Sequence, residues 1–282
     1  MFKIVAEIHL QLAEKYPERE IESFVRILFK HYLNMSPAEL YMSSDREPAA
    51  EIGQQILAAV DELKKYRPIQ YIIGKTEFYG LHLEVTPDVL IPRPETEELV
   101  DWIVCEYERD APLNIVDIGS GSGCIAVALK SNFLNSNVWA IDISERALNV
   151  ARRNAERNKL KLNYLLADVL KDDMMGFEYN SLDVVVSNPP YVTPSDRRLM
   201  HPNVLEYEPH VALFTPNSDS FIFFKHIAAF GIKSLKDGGN IFFEINEAYP
   251  KEVADILKQH GFSNIDTRQD LNGKWRMISA RK

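Results

Sequence analysis

Short β-rich runs alternate with helical patterns from Leu113 to the end of the chain, and this alternation limits the possible folds more than any other feature. It predicts a mostly parallel α/β sheet with helices on both faces. The predicted strands cover residues 113–118, 138–143, 162–167, 182–187, 240–245, 263–267 and 276–280. Helices are predicted between most of them, including 144–158, where Ser144 can cap, and 249–260. No helix precedes the last strand, which allows it to insert antiparallel.

The first 66 residues have only helical patterns. One helix is indicated by an apolar stripe at Ile21, Phe24, Val25, Leu28, Phe29, Tyr32 and Leu33. Residues 36–39 form a capping box with proline at the first helical position, and residues 44–47 begin another helix in the same way. That second helix carries Ile52, Ile56, Val60 and Leu63 on one side. A packing bundle and a recognition module both fit this pattern.

Residues 67–92 have the pattern of a β-hairpin linker between two domains. Residues 69–73 and 81–85 are short β-rich runs, with Gly74 and Gly80 between or beside them. Two prolines then fix a turn before a helix predicted from Glu95 to Tyr107. We therefore divide the chain into a helical domain at 1–66, the linker at 67–92 and the α/β domain at 93–282.

Composition restricts the functional class. The 282 residues include 32 basic and 41 acidic side chains, a net charge of −9, which argues against general affinity for a phosphate backbone. The two cysteines form no CxxC pair and the seven histidines are scattered, so no metal site is expected. No apolar run reaches the roughly 18 residues of a spanning helix, and no secretion signal is visible. We expect a soluble, cytoplasmic protein without a membrane partner.

A glycine-rich loop follows the first predicted strand of the α/β domain. The strand ends at Asp117, and Gly119, Ser120, Gly121, Ser122 and Gly123 lead directly into a helix. Such a loop lets a ligand approach the backbone, and the helix N-terminus favours an anion. The dinucleotide fingerprint requires a third glycine where this chain has Cys124. The loop therefore suits an amino-acid carboxylate better than a pyrophosphate, which makes a dehydrogenase a weak alternative.

Acidic residues end the next two strands. Asp142 lies about twenty positions beyond the glycines, where a carboxylate can bind both hydroxyls of a ribose. Asp168 follows the third strand, where it could accept from an adenine amino group while Val169 contacts the ring. Each signal alone is weak, since an Asp after a strand is often a helix cap. Together with the loop they predict the ligand S-adenosyl-L-methionine.

The fourth strand of this domain ends in Asn188, Pro189, Pro190 and Tyr191. A planar nitrogen with two hydrogens is a poor nucleophile, so a methyl-transfer site must hold both N–H groups and aim the nitrogen. The Asn188 side-chain oxygen and the Pro189 carbonyl can accept those hydrogens, and Tyr191 can stack on the flat group. Positioning to about 3–3.5 Å contributes several kcal/mol. We therefore predict that Asn188, Pro189 and Tyr191 are catalytic, without a metal or a strong general base.

A proline-rich stretch follows this tetrapeptide. Between Asn188 and Asp219 no convincing helix or strand is predicted, although six of the fifteen prolines lie there. Loops beyond about 12–15 residues in compact domains are usually functional or disordered. We expect a functional loop because it begins at the end of a strand.

Several segments together resemble the PrmC/HemK family, the N5-glutamine methyltransferases of peptide-chain release factors. They cover nearly the whole chain: residues 68–74 (PIQYIIG), 89–100 (VLIPRPETEELV), 117–126, 187–191 (SNPPY), 207–209 (YEP) with Ala212 and Leu213, and 270–273 (DLNG) with Arg276. The NPPY tetrapeptide alone is shared with adenine and guanine amino methyltransferases. The segments at 89–100 and 207–209 are more particular to this family.

The resemblance implies a class I S-adenosylmethionine-dependent methyltransferase fold for residues 93–282. It also implies cofactor contacts from Gly119 to Gly123, Asp142, Val169 and Asn188. The tetrapeptide from Asn188 to Tyr191 would bind the glutamine of the Gly-Gly-Gln motif of class I release factors. The helical domain would help to grip that partner, and we expect a monomer without direct nucleic-acid contact.

The sequence departs from the family pattern at two places, and two alternative functions remain to be considered. Asn246 stands where the family commonly has Gly, and the segment 217–221 lacks the usual Gly-Leu after its Asp. One alternative is a nucleic-acid amino methyltransferase, which the acidic charge disfavours. The other is an S-adenosylmethionine-binding protein without catalysis, which an intact site disfavours.

Overall fold

The computed structural model describes residues 2–42, 47–172, 176–193 and 196–282. The helices in chain order are α1 (Phe2–Leu12), α2 (Glu18–Leu33), α3 (Pro37–Met42), α4 (Ala50–Leu63), α5 (Ile69–Ile73), α6 (Pro94–Glu106), α7 (Cys124–Asn132), α8 (Glu145–Arg157), α9 (Pro202–Tyr207), α10 (Ile222–Ser234) and α11 (Pro250–Gln259). The strands are β1 (Lys75–Phe78), β2 (Leu81–Glu84), β3 (Asn114–Ile118), β4 (Asn137–Asp142), β5 (Asn163–Leu166), β6 (Leu182–Ser187), β7 (Leu235–Glu244), β8 (Ser263–Gln269) and β9 (Trp275–Arg281). Within these ranges, no helix has the length and apolar character needed to cross a membrane.

The chain folds into two compact units. The first runs to Gly74 and also includes His201–Tyr207, and the second comprises Lys75–Met200 and Glu208–Lys282. The helical unit thus extends eight residues beyond the boundary expected at residue 66. It also contains α9, although its residues lie within the predicted bounds of the α/β domain, 93–282.

The helical unit is built on the apolar stripe of α2. Residues of that stripe are buried with apolar side chains of α1 and α4, including Ile8, Leu12 and Leu63. The Tyr16 hydroxyl donates to the Leu63 carbonyl over 2.7 Å inside this core. The predicted capping box is confirmed: the Ser36 amide donates to the Glu39 carboxylate, and the Glu39 amide donates to Ser36 Oγ.

The last part of the helical unit contains α4 and α5. The predicted helix start at 44–47 falls outside the described residues except for Glu47, and α4 begins at Ala50. The predicted strand at 69–73 is wrong, because these residues form α5, where Ile69 and Tyr71 are buried. Pro68 precedes its first turn, and Gly74 ends it at a φ of 70°. The hairpin is therefore formed by β1 and β2.

The second unit contains a seven-stranded sheet in the order β5-β4-β3-β6-β7-β9-β8. The first five strands of this order are parallel, whereas β9 pairs antiparallel with both β7 and β8. This confirms the mostly parallel α/β sheet and the antiparallel insertion of the last strand. The predicted N-cap is also confirmed, because Ser144 Oγ accepts from the Ala147 amide at the start of α8.

Both faces of this sheet are covered by helices. Ile115 of β3 and Val184 of β6 pack in a core with α6, α7 and α8. Val116 and Val185, the next residues along these strands, pack in a second core with α10 and α11. Successive side chains of a strand point to opposite faces, so strands buried on both faces need the continuous apolar runs seen in this sequence.

The proline-rich stretch after β6 is more ordered than the sequence predicts. It contains 3₁₀ turns at Asp196–Leu199 and His210–Ala212 in addition to α9, so the expectation of no helix is wrong. Within the second unit its ends meet in a bridge between Val192 and Phe214. The Glu208 carboxylate, which is almost fully buried, accepts from Arg93 over 2.6 Å and from the Ile91 amide over 3.2 Å. The segments 89–100 and 207–209, which the resemblance singles out, therefore contact each other through Glu208.

Replacing Glu208 with glutamine should destabilise the second unit. Glu208→Gln removes the charge that pairs with Arg93, and loss of one partner of a buried charged bond costs about 1–3 kcal/mol. We expect the free energy of unfolding to fall by an amount in the lower half of that range, because the Arg93 side chain is 33% exposed. Urea unfolding measures the change, with Glu206→Gln at an exposed position of the same stretch as the matched control. Equal unfolding free energies for the two variants would contradict a stabilising role for this ion pair.

Candidate active site

A cavity of about 460 Å³ opens at the carboxyl ends of the parallel strands. Its size is typical of small-molecule sites, and its position is where open α/β sheets bind ligands. The structure brings most of the predicted site residues to its wall: Gly119, Gly121, Asp142, Asp168, Val169, Asn188, Pro189 and Pro190. Asp117, Ser120, Ser122, Gly123 and Tyr191 are not among the lining residues.

The backbone of the glycine-rich loop forms one side of the cavity. The Gly119 amide donates to the Ile141 carbonyl over 2.8 Å, which ties the loop to the end of β4. Gly121 has a φ of 54° and open space where a Cβ would lie, so the main chain faces the cavity without a side chain. At Gly123, a Cβ would lie 2.8 Å from the Ala151 Cβ, and φ is 77°. Close packing of the loop on α8 therefore requires glycine there.

Asp117 lies beneath the loop and not on the cavity wall. It is fully buried, and its Oδ2 accepts from the Ala126 amide over 3.2 Å in the first turn of α7. Burial raises the pKa of Asp117 to about 8, and the nearby Asp142 adds to the rise. Among the described residues, Asp117 Oδ1 and the buried Ser120 Oγ have no hydrogen-bond partner within the chain. These two polar atoms remain available to a water or a ligand group.

Asp142 is fixed at the end of β4 by two backbone amides. Its Oδ2 accepts from Gly121 over 2.8 Å, and its Oδ1 accepts from Ser144 over 2.9 Å. A carboxylate has about four acceptor positions, so both oxygens can still accept from two neighbouring hydroxyl groups. Burial raises the pKa of this carboxyl, and the two amides oppose that rise.

The residues after β5 line a further part of the cavity. Asp168 Oδ1 accepts from the Leu170 amide over 3.1 Å, and its Oδ2 lies 3.0 Å from the exposed Lys171 ammonium. Val169 is 8% exposed and packs in the core shared with α10 and α11. An apolar wall beside one partly accessible carboxylate matches a flat heterocycle that carries an amino group.

The end of β6 places the tetrapeptide at the cavity. Ser187 Oγ donates to the Ile118 carbonyl over 2.6 Å within the core, which ties the ends of β6 and β3 together. Asn188, Pro189 and Pro190 then lie on the wall, and Asn188 is half-buried. Burial raises the pKa of the following Tyr191 to about 12, and the negative charge of Glu244 contributes to the rise. Tyr191 is therefore a neutral phenol at any physiological pH.

The structure adds two residues that sequence reasoning missed, Thr96 on α6 and Glu244 at the end of β7. Both are buried, and Thr96 Oγ1 donates to Glu244 Oε2 over 2.5 Å. Asn188 Nδ2 donates to Thr96 Oγ1 over 3.4 Å. Thr96 lies in the family-like segment 89–100, but only the folded chain brings α6, β6 and β7 to one point.

The donor set fits S-adenosyl-L-methionine. The cavity combines an exposed glycine backbone, the fixed carboxylate of Asp142 and the apolar wall at Val169. Asp117 Oδ1 and Ser120 Oγ, which have no hydrogen-bond partner among the described residues, can form hydrogen bonds with a ligand group beside the loop. Within the described ranges, no group of three or more His, Cys, Asp and Glu side chains is arranged to hold a metal ion.

Comparison with known proteins identifies both parts of the chain. A family described as PrmC N-terminal domain matches residues 3–74, and one described as Methyltransferase small domain matches residues 102–205. A solved methyltransferase from Pyrococcus furiosus is similar in fold, with a TM-score of 0.51 at 19% identity. That similarity covers 83% of this chain and 99% of the other.

Two relatives match over almost the whole length. The release factor glutamine methyltransferase of Flavobacterium psychrophilum is 40% identical over 95% of this chain and 94% of its own. The protein of the same name from Bacteroides thetaiotaomicron is 39% identical over the full length of both chains. The chain therefore belongs to the release factor glutamine methyltransferase family.

Proposed function

We propose that this chain transfers a methyl group from S-adenosyl-L-methionine to the side-chain amide nitrogen, N5, of a release factor glutamine. The target would be the glutamine of the Gly-Gly-Gln motif in class I peptide-chain release factors. The observation that carries the proposal is the position of Asn188 and Pro189 on the wall of the same cavity as Gly121 and Asp142. Relatives of 39–40% identity named for this activity support it.

The cofactor half of the site is assigned to the strand ends. Asp142 would accept from the ribose hydroxyls, while Asp168 and Val169 would bind the adenine. The glycine-rich loop from Gly119 to Gly123 would face the amino-acid part. The side chains of Asp117, Ser120 and Ser122 are buried behind the loop backbone and would contribute to cofactor binding from there. Asn188 would lie where the cofactor and target halves meet.

The target half of the site would bind a primary amide. When bound, the cofactor would supply a methyl group on a positively charged sulfur; its transfer would break the S–C bond, and the methylated amide nitrogen would lose one proton to water. Asn188 Oδ1 and the Pro189 carbonyl would accept the two amide hydrogens and so fix the nitrogen in line with the methyl group. Pro189 carries no N–H that could compete for an acceptor. Pro190 and Tyr191 would bind the flat faces of the amide.

The partner would be the release factor itself, without direct contact to nucleic acid. The net charge of −9 does not favour a phosphate backbone. The helical unit, which matches the PrmC N-terminal domain, would help to grip this protein. A monomer working in the cytoplasm, where release factors act, completes the proposal.

Mass spectrometry of a bacterial class I release factor tests the proposal. The unmodified factor is incubated with this chain and isotope-labelled S-adenosyl-L-methionine, and the expected product carries one labelled methyl group on the Gly-Gly-Gln glutamine. Label in ribosomal RNA or DNA, with none in the factor, would favour a nucleic-acid amino methyltransferase. Cofactor binding without label in any of these would favour a binding protein without catalysis.

Asn188→Ala should abolish most of the turnover. The variant loses an acceptor for the target amide, and misplacement by about 1 Å can cost on the order of 100-fold, so we expect kcat to fall by at least that factor. Cofactor affinity should change only modestly. Steady-state kinetics and calorimetric titration with S-adenosylhomocysteine measure the two quantities. Asn149→Ala, at an exposed position of α8, is the control. Near-normal turnover of Asn188→Ala would contradict the role of Asn188 as an acceptor for the target amide.

Asp142→Ala should act mainly on the cofactor. Loss of charged hydrogen bonds to a ribose should weaken binding by about 1–3 kcal/mol, roughly 5- to 150-fold in Kd. The same titration measures the change, with Asp255→Ala at an exposed position of α11 as the control. An unchanged Kd in Asp142→Ala would place the ribose contact on another residue.

A further inference from the structure

The side-chain amide of Asn188 is the first member of a chain of hydrogen bonds that leads away from the cavity into the protein. Its Nδ2 donates to Thr96 Oγ1 over 3.4 Å, and Thr96 Oγ1 donates to Glu244 Oε2 over 2.5 Å. Thr96 is 2% exposed and Glu244 is 4% exposed, so water does not compete freely for these groups. The contacts join residues 92 and 148 positions apart in the sequence.

The Thr96 hydroxyl and the Glu244 carboxylate, to which the Asn188 side chain also hydrogen-bonds directly, together determine the direction of this chain. Thr96 has a single O–H, and it is directed to the Glu244 carboxylate. The Thr96 lone pairs must therefore accept from Asn188, which only the amide nitrogen can satisfy. With the opposite amide orientation, Asn188 Oδ1 would face an oxygen that has no hydrogen to donate.

We infer that Thr96 and Glu244 are positioning residues that hold the Asn188 carbonyl oxygen toward the target amide. This inference rests on the proposed function, in which Asn188 Oδ1 accepts a target N–H. An asparagine amide is nearly symmetrical in shape, so packing alone distinguishes its oxygen from its nitrogen poorly. With the nitrogen outward, Asn188 would present a donor to a donor, and the target amide would lose its acceptor.

The charge of Glu244 controls the same hydrogen. Burial raises the pKa of Glu244 to about 7, and Glu95 adds to the rise. The Thr96 hydroxyl, the Arg276 guanidinium and the Asn188 side chain oppose it. Other ionisable groups facing Glu244 are Tyr191 after β6 and Cys124 on α7, each with a pKa raised to about 12, so both are neutral near pH 7.

The sign of the pH dependence follows from this arrangement. Above pH 7 the carboxylate is ionised, accepts the Thr96 hydrogen and keeps the Asn188 nitrogen inward. Below pH 7 a protonated Glu244 can donate to Thr96, whose own hydrogen is then free to turn toward Asn188 and favour the opposite orientation. Turnover should therefore fall as pH decreases through about 7.

Kinetics of Thr96 variants test the inference. Thr96→Val keeps the shape and removes the hydroxyl, and loss of amide positioning should lower kcat by roughly 10- to 100-fold. KM for the release factor and Kd for S-adenosylhomocysteine should stay within about twofold, because no group that binds either ligand is removed. Thr96→Ser retains the hydroxyl and should recover most of the lost kcat. Thr76→Val in the β1–β2 hairpin is the control for the Thr-to-Val change.

The pH profile separates positioning from mere structural support. The unsubstituted chain should show an acid limb in kcat near pH 7. Glu244→Gln keeps a side-chain oxygen that can accept from Thr96 but cannot gain a proton, so the limb should disappear. A limb at the same pH in Glu244→Gln, or a Thr96→Val kcat equal to that of Thr76→Val, would overturn the inference.

Nuclear magnetic resonance gives a readout without turnover. In protein labelled with ¹⁵N at asparagine, the signal missing from Asn188→Ala identifies the Asn188 side-chain NH₂. We expect this signal to titrate with a midpoint near pH 7 in the unsubstituted chain and not in Glu244→Gln. A pH-independent signal in the unsubstituted chain would refute the orientation control even if release factor methylation is observed. A titrating signal in a chain that does not methylate the factor would refute the proposed function instead.

Discussion

The pairing of β3 with β6 at the centre of the sheet is the constraint on which the site depends. Ile118 and Ser187 are register partners, and the Ser187 hydroxyl closes the pair by donating to the Ile118 carbonyl. The chain continues from β3 toward β4 and β5 on one side, and from β6 toward β7 on the other. The loops after β3 and β6 therefore diverge, and a crevice opens between them. The glycine-rich loop and the tetrapeptide keep their separation because both start from one rigid strand pair.

Burial of acidic groups is the main electrostatic feature of this crevice. Asp117, Asp142 and Glu244 lie close to the strand ends, and in each case desolvation is the largest cause of a raised pKa. An ionised carboxylate in such a position is costly unless hydrogen bonds or a positive charge compensate it. Backbone amides compensate Asp142, and Thr96 with Arg276 compensates Glu244.

Long, regular elements were predictable from the sequence, whereas short elements and long-range contacts were not. Strands β3 and β6 and the Ser144 cap follow from local patterns, as does the antiparallel last strand. The short apolar run at 69–73 has the composition of a strand, but Pro68 and Gly74 delimit a single helical turn whose side chains complete the helical core. Most of the predicted cavity residues were found because they follow strands. Thr96 and Glu244 were missed because their roles depend on three elements that meet only in the folded chain.

The bridge between Val192 and Phe214 closes the proline-rich stretch at its base. The Val192 amide donates to the Leu213 carbonyl, and the Thr215 amide donates to the Val192 carbonyl. With the base closed, exposed positions of this stretch such as Glu206 can change in sequence while Glu208 keeps its ion pair with Arg93 and the strand end that carries Asn188 stays where β6 places it. Evolution can therefore alter the exposed part of this stretch independently of the tetrapeptide after β6, adapting the enzyme to a new protein partner without rebuilding that strand end.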